Sequence, residues 1–100
     1  MKLIELNISK IIELCKNYRV KSLAVFGSIL TERFNNDSDI DMIVNFDDTV
    51  TYHTYADYFF GLHDNLKKLL GRDIDLVDES SINNKYFKEE IDETKRLIYG

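Results

Sequence analysis

Leu23-Ala24-Val25-Phe26-Gly27-Ser28 and, ten residues on, Ser38-Asp39-Ile40-Asp41-Met42-Ile43-Val44 are two apolar runs that each carry a polar signature at one end. Asp39 and Asp41 stand two apart in a strand-like run. Their side chains therefore project from one face, with a rise of roughly 3.3 Å per residue. Like charges so placed repel, and a divalent cation between them removes the conflict, because hard cations take carboxylate oxygens. Gly27 admits a close approach of backbone to a ligand. Ser28 adds a hydroxyl that can cap a following helix, and bare N–H groups at such a start suit a phosphate.

Working outward, Ile8, Ile11, Ile12, Cys15 and Tyr18 recur at helical spacing and predict a helix over about 7–18. Residues 22–26 then read as a buried strand, followed by a short helix over 29–34. Asn35-Asn36-Asp37-Ser38 is a cluster of turn formers. Residues 39–46 form the second strand, whose apolar Met42-Ile43-Val44 fits a strand covered on both faces. Tyr52, Tyr55, Phe59, Leu62, Leu66 and Leu69 predict a helix over 52–70, and Gly71 stops it. Asp73-Ile74-Asp75-Leu76-Val77 is the third strand. A last helix over 82–99 turns Phe87, Ile91, Leu97 and Ile98 inward. The expected fold class is α/β (or α+β), a small mixed sheet of three to four strands covered by helices.

A length of 100 residues predicts a single domain, 1–100. The net charge of −5 argues against a nucleic-acid duplex as partner. It does not exclude a nucleotide, whose phosphates metal ions can neutralise. The one cysteine, Cys15, permits no internal disulfide and fits a reducing cytoplasm. It lies in the apolar stripe, as a buried structural thiol does. The N-terminal stretch lacks the apolar core of a signal peptide, and no apolar run reaches membrane-spanning length. The expected location is cytoplasmic. Length alone admits an oligomer.

The elements place the polar residues together. If the first two strands are antiparallel, Gly27-Ser28 lies beside Asp39. The long helix between the second and third strands favours a parallel pair with a right-handed crossover. The start of the third strand then reaches the same edge, so Gly27, Ser28, Asp39, Asp41 and either Asp73 or Asp75 converge. Periodicity does not choose between the last two, which share a face. Three carboxylates there suit two Mg²⁺ ions roughly 3.5–4 Å apart, a clamp for phosphoryl chemistry in which one ion holds a triphosphate and the other activates a hydroxyl. The third carboxylate can position that hydroxyl or take its proton.

Gly27-Ser28, Ser38-Asp39-Ile40-Asp41 and the later Asp75-Leu76-Val77 resemble the nucleotidyltransferases of the DNA polymerase beta superfamily. The small size resembles the minimal nucleotidyltransferases (MNT). The resemblance implies the polymerase-beta-type fold, with Gly27 and Ser28 on the nucleotide phosphates and Asp39 and Asp41 as ligands of both metals. It makes Asp75 the third catalytic and metal-binding carboxylate, because the family's aspartate is followed by apolar strand residues. It implies AMP transfer from ATP to a hydroxyl with release of pyrophosphate. MNT proteins resemble antitoxins paired with HEPN-domain toxins, some of which they modify on tyrosine, so the implied partner is a HEPN-type toxin. Members often carry a small, basic segment after Gly-Ser. Here it is Ile29-Leu30-Thr31-Glu32-Arg33, with one basic residue.

Plainer readings stand beside these. An EF-hand fails, because Met42 and Asp48 occupy the positions of its glycine and glutamate. The tyrosines at 52, 55 and 58 read as core and surface filling, His53 and His63 as surface or helix-face residues, and Arg33 and Arg72 as surface charges, with contact to a phosphate as the alternative for either arginine. Other functions in view are a non-catalytic antitoxin that neutralises its partner by contact, and a subunit of a small-molecule nucleotidyltransferase.

Overall fold

The apolar stripe of the first helix, the continuous apolar second strand and the long amphipathic helix lock together as one core. A computed structural model describes residues 2–100. Helix α1 (Lys2–Leu6) and α2 (Ile8–Asn17) lead into β1 (Val20–Phe26), and β2 (Ile40–Phe46) follows a loop. Helix α3 (Tyr55–Leu70), β3 (Ile74–Asp78), α4 (Lys85–Thr94) and β4 (Arg96–Tyr99) complete the order. The sheet is four-stranded and mixed, in the order β3-β2-β1-β4. β1 is antiparallel to β2 and to β4, whereas β2 and β3 are parallel across the α3 crossover. The expected fold class and both expected strand directions are borne out.

Alternation along the strands splits the core between the two faces. Leu23, Val25, Ile40, Met42 and Val44 pack with Ile11 and Cys15 of α2 and with Leu62 and Leu66 of α3. Ala24 and Ile43 meet Ile91 of α4 on the opposite face. Cys15 is fully buried, and burial pushes its thiol up to about 12, as a structural thiol requires. Gly71 ends α3 in the left-handed conformation, φ 64°, and its N–H donates to the Lys67 carbonyl at 2.9 Å.

Three local expectations need correction. The last helix stops at Thr94; Lys95 is extended, and Arg96–Tyr99 becomes β4 on the open edge of β1. Of the four residues expected to face inward, Ile91 is buried, whereas Phe87 and Leu97 are exposed. Leu97-Ile98-Tyr99 has strand-favouring side chains, and the unpaired backbone of β1 offers more than a continued surface helix would. The helix expected over 29–34 is instead a 3-10 turn at Gly27–Leu30, ended by an extended Thr31 whose backbone N–H and hydroxyl both donate to the Ser28 carbonyl. Ser28 does not cap it. Tyr52 lies before α3 and is 93% exposed, so it belongs to no core stripe.

Candidate active site

Strand pairing builds the site from three separate parts of the chain. Phe26, the last residue of β1, lies opposite Asp41, and Asp41 lies opposite Asp75. Asp39 stands one residue ahead of β2. Ile43, two residues beyond Asp41 and therefore on its face, packs with α4. The carboxylates thus belong to the α4 face of the sheet, at the end where β1 finishes and β2 and β3 begin.

Gly27 follows directly, with φ +75°, a left-handed conformation that glycine adopts without penalty. A Cβ at this position would fall on the Asp41 Oδ2 and lie 3.2 Å from its Cγ. The glycine is needed twice, once for its backbone and once to leave room for the Asp41 carboxylate.

The convergence has an electrostatic consequence. Burial raises the Asp41 carboxyl above the usual carboxylate range, and the charges of Asp75 and then Asp39 raise it further. A hydrogen bond with Asp75 adds to the shift; two carboxyls can share one only when one of them holds a proton. A cation can do what that proton does, and the donor set consists of hard carboxylate oxygens, which fits Mg²⁺. No three His, Cys, Asp or Glu side chains among the described residues are gathered tightly enough to enclose an ion. Mg²⁺ is usually bound by one or two carboxylates together with substrate phosphates rather than by an all-protein cage.

The two aspartates that periodicity leaves equivalent have different surroundings. Asp75 pairs with Asp41, whereas Asp73 lies before β3, and its carboxylate accepts from Lys67 Nζ at 3.1 Å, with both groups more than half exposed. The structure brings Asp39, Asp41 and Asp75 together beside Gly27 and leaves Asp73 in a surface ion pair.

Arg72 is not the free surface charge expected. Its guanidinium donates to the Asn35 carbonyl and, at 2.6 Å, to the Ser38 carbonyl, and it lies 4.5 Å from the centre of the Phe34 ring. It ties the 31–38 loop, and with it the approach to Asp39, to the end of α3. His63 Nε2 donates to the Ile74 carbonyl at 3.0 Å if that nitrogen carries the proton, which seats the start of β3.

Two open cavities adjoin this end of the sheet. One, of about 740 Å³, adjoins Asp39, Arg72 and Asp73. The other, of about 680 Å³, adjoins Gly27 and Ser28 and is lined also by Phe87 and Arg96. Arg96 was hidden from sequence reasoning by the overlong last helix. The strand-like Leu97-Ile98-Tyr99 after it was the available signal.

Comparison with known proteins agrees with this geometry. The family described as polymerase beta, nucleotidyltransferase matches residues 9–100. A candidate protein adenylyltransferase of Methanocaldococcus jannaschii is 42% identical over 82 residues, 82% of this chain and 78% of that one. The protein adenylyltransferase MntA of Thermococcus cleftensis is 32% identical over 72 residues, 72% of this chain and 69% of that one. A crystal structure of a toxin-antitoxin with AMP-PNP superposes with a TM-score of 0.72 at 26% identity, covering 94% of this chain and 73% of the other. Sequence match, fold and the convergence of strand ends therefore lead to one assignment: the chain belongs to the polymerase beta nucleotidyltransferase family.

Proposed function

We propose that this nucleotidyltransferase transfers AMP from ATP to a hydroxyl of a partner protein, a tyrosine of a HEPN-type toxin, and so acts as the antitoxin of the pair. The observation that carries the reading is the registered pair Asp41–Asp75 beside Gly27, with the Asp41 carboxyl raised by its neighbours. Support for the acceptor comes from two relatives, a candidate protein adenylyltransferase and the protein adenylyltransferase MntA. A structural neighbour, 26% identical with a TM-score of 0.66, is a tri-AMPylated Shewanella oneidensis HEPN toxin in complex with an MNT antitoxin.

The roles follow from position. Asp39 and Asp41, with Asp75, would hold Mg²⁺; when bound, the ions neutralise phosphate charge and lower the pKa of the attacking hydroxyl. Gly27 and Ser28 cradle the phosphates. Asp75, exposed beside the half-buried Asp41, orients the acceptor hydroxyl and receives its proton. The acceptor oxygen bonds to the α-phosphorus, the bond from that phosphorus to the bridging oxygen breaks, and pyrophosphate leaves with the electron pair.

The test is intact-mass spectrometry of a co-purified HEPN-type toxin after incubation with ATP and Mg²⁺. One or more AMP additions are expected with the wild-type chain. Asp39→Asn, Asp41→Asn and Asp75→Asn should each lower the rate by orders of magnitude, because metal-borne charge stabilisation is worth several kcal/mol. Asp73→Asn should be near neutral. A toxin neutralised without any mass change would refute transfer in favour of neutralisation by contact.

A further inference from the structure

Four arginines occur in the chain. Two are committed: Arg19 lies 5.3 Å from the centre of the Tyr58 ring, and Arg72 holds the 31–38 loop. The other two, Arg33 and Arg96, have no ion-pair or side-chain hydrogen-bond partner among the described residues; the hydrogen bonds at Arg33 use its backbone N–H and carbonyl only. They come from distant positions, one in the loop after Gly27-Ser28 and one at the start of β4, yet both line the 680 Å³ cavity. Strand register explains the meeting. Arg96 pairs with Val25, which brings the start of β4 level with the end of β1.

Charge separates the two cavities. Beside Gly27-Ser28, two arginines face one acid, Glu90. The other cavity sets Lys67, Lys68 and Arg72 against four aspartates. Its Lys67 is paired with Asp73, and its Arg72 is occupied by backbone carbonyls. In a chain of net charge −5, uncommitted guanidinium groups are scarce, and guanidinium is the side chain best matched to phosphate oxygens.

We infer that Arg33 and Arg96 together bind the β- and γ-phosphates of the nucleotide, so that they hold the pyrophosphate leaving group while Gly27 and Ser28 hold its junction with the transferred phosphate. The inference rests on the proposed nucleotidyl transfer and deepens it. It also accounts for the single basic residue in Ile29–Arg33, because the second cation arrives from β4. The bond that breaks lies between the α-phosphorus and its bridging oxygen, and the two arginines balance the charge that the departing oxygen acquires.

The test uses inorganic tripolyphosphate with Mg²⁺ as the calorimetric probe, with AMP as the control ligand. Arg33→Gln and Arg96→Gln should each weaken tripolyphosphate about tenfold, the loss of one charge-assisted contact, and the double variant about a hundredfold. AMP affinity and the melting temperature should stay unchanged, and Arg96→Lys should recover part of the loss. A double variant that binds tripolyphosphate like the wild type, or transfers AMP with an unchanged KM for ATP, overturns this inference alone. A wild-type chain that neither binds nor transfers from ATP overturns it together with the proposed function.

Discussion

Gly27→Ala separates strain from geometry, because Gly71→Ala supplies a matched control. Both glycines have positive φ, +75° and +64°. An L-residue pays roughly 1–2 kcal/mol for that conformation, and a domain of this size loses about 4–8 °C of Tm per kcal/mol. Each variant should therefore melt about 4–16 °C lower. The surroundings differ. Nothing lies within 4 Å of a Cβ at Gly71, whereas a Cβ at Gly27 falls on the Asp41 Oδ2 and lies 3.4 Å from the Asp41 Cβ. The carboxylate must rotate away or β2 must move. Misplacing a catalytic group by about 1 Å costs on the order of a hundredfold in rate. Transfer of AMP, assayed well below both melting points, should thus fall about a hundredfold in Gly27→Ala and stay near wild type in Gly71→Ala. Equal activity in the two variants would refute the claim that Gly27 exists to make room for Asp41.

The Asp41 carboxyl is raised in the folded state, so its contribution to stability is complete below its unfolded pKa and is lost as pH rises through the folded value. With a chelator present, the denaturant midpoint of the wild type should fall across that acid range, and Asp41→Asn should flatten the fall; an equal slope in both would exclude this origin. Added Mg²⁺ should raise the wild-type midpoint at neutral pH more than that of Asp41→Asn. Arg72→Met removes hydrogen bonds to the Asn35 and Ser38 carbonyls and should cost about 1 kcal/mol at this partly exposed position. The accompanying drop in transfer should exceed what the melting shift explains, because Asp39 follows Ser38; full activity would show that the loop keeps its shape without the arginine.

How far the sequence was legible depends on the range of the interaction that decides each element. Leu62 and Leu66 sit in a stripe that only a helix can bury, and Gly71 carries its own stop signal, so α3 could be read locally. Asp39 and Asp41 share a face by strand periodicity. Asp73 and Asp75 are equivalent on that criterion; the apolar residues after Asp75 favour it by resemblance, and the pairing of Asp75 with Asp41 and of Asp73 with Lys67 separates the two in space. The end of the chain reads locally as helix, whereas Arg96–Tyr99 is extended by virtue of β1, more than seventy positions earlier. Arg72 looks like any surface arginine, since its partners are carbonyl groups of a distant loop.

The in-register contact between Asp41 and Asp75 also bears on how the molecule tolerates insertions and deletions. The two residues are 34 positions apart, and they meet only because α3 returns the chain to β2 in one particular phase. A slip of one residue in that parallel ladder would turn one carboxylate to the opposite face of the sheet, while most backbone hydrogen bonds re-formed. Adding or removing a single residue between Gly71 and Asp73 is therefore more dangerous to the chemistry than to the fold. The crossover acts as a ruler, and its length is under constraint even where its surface side chains are free to vary.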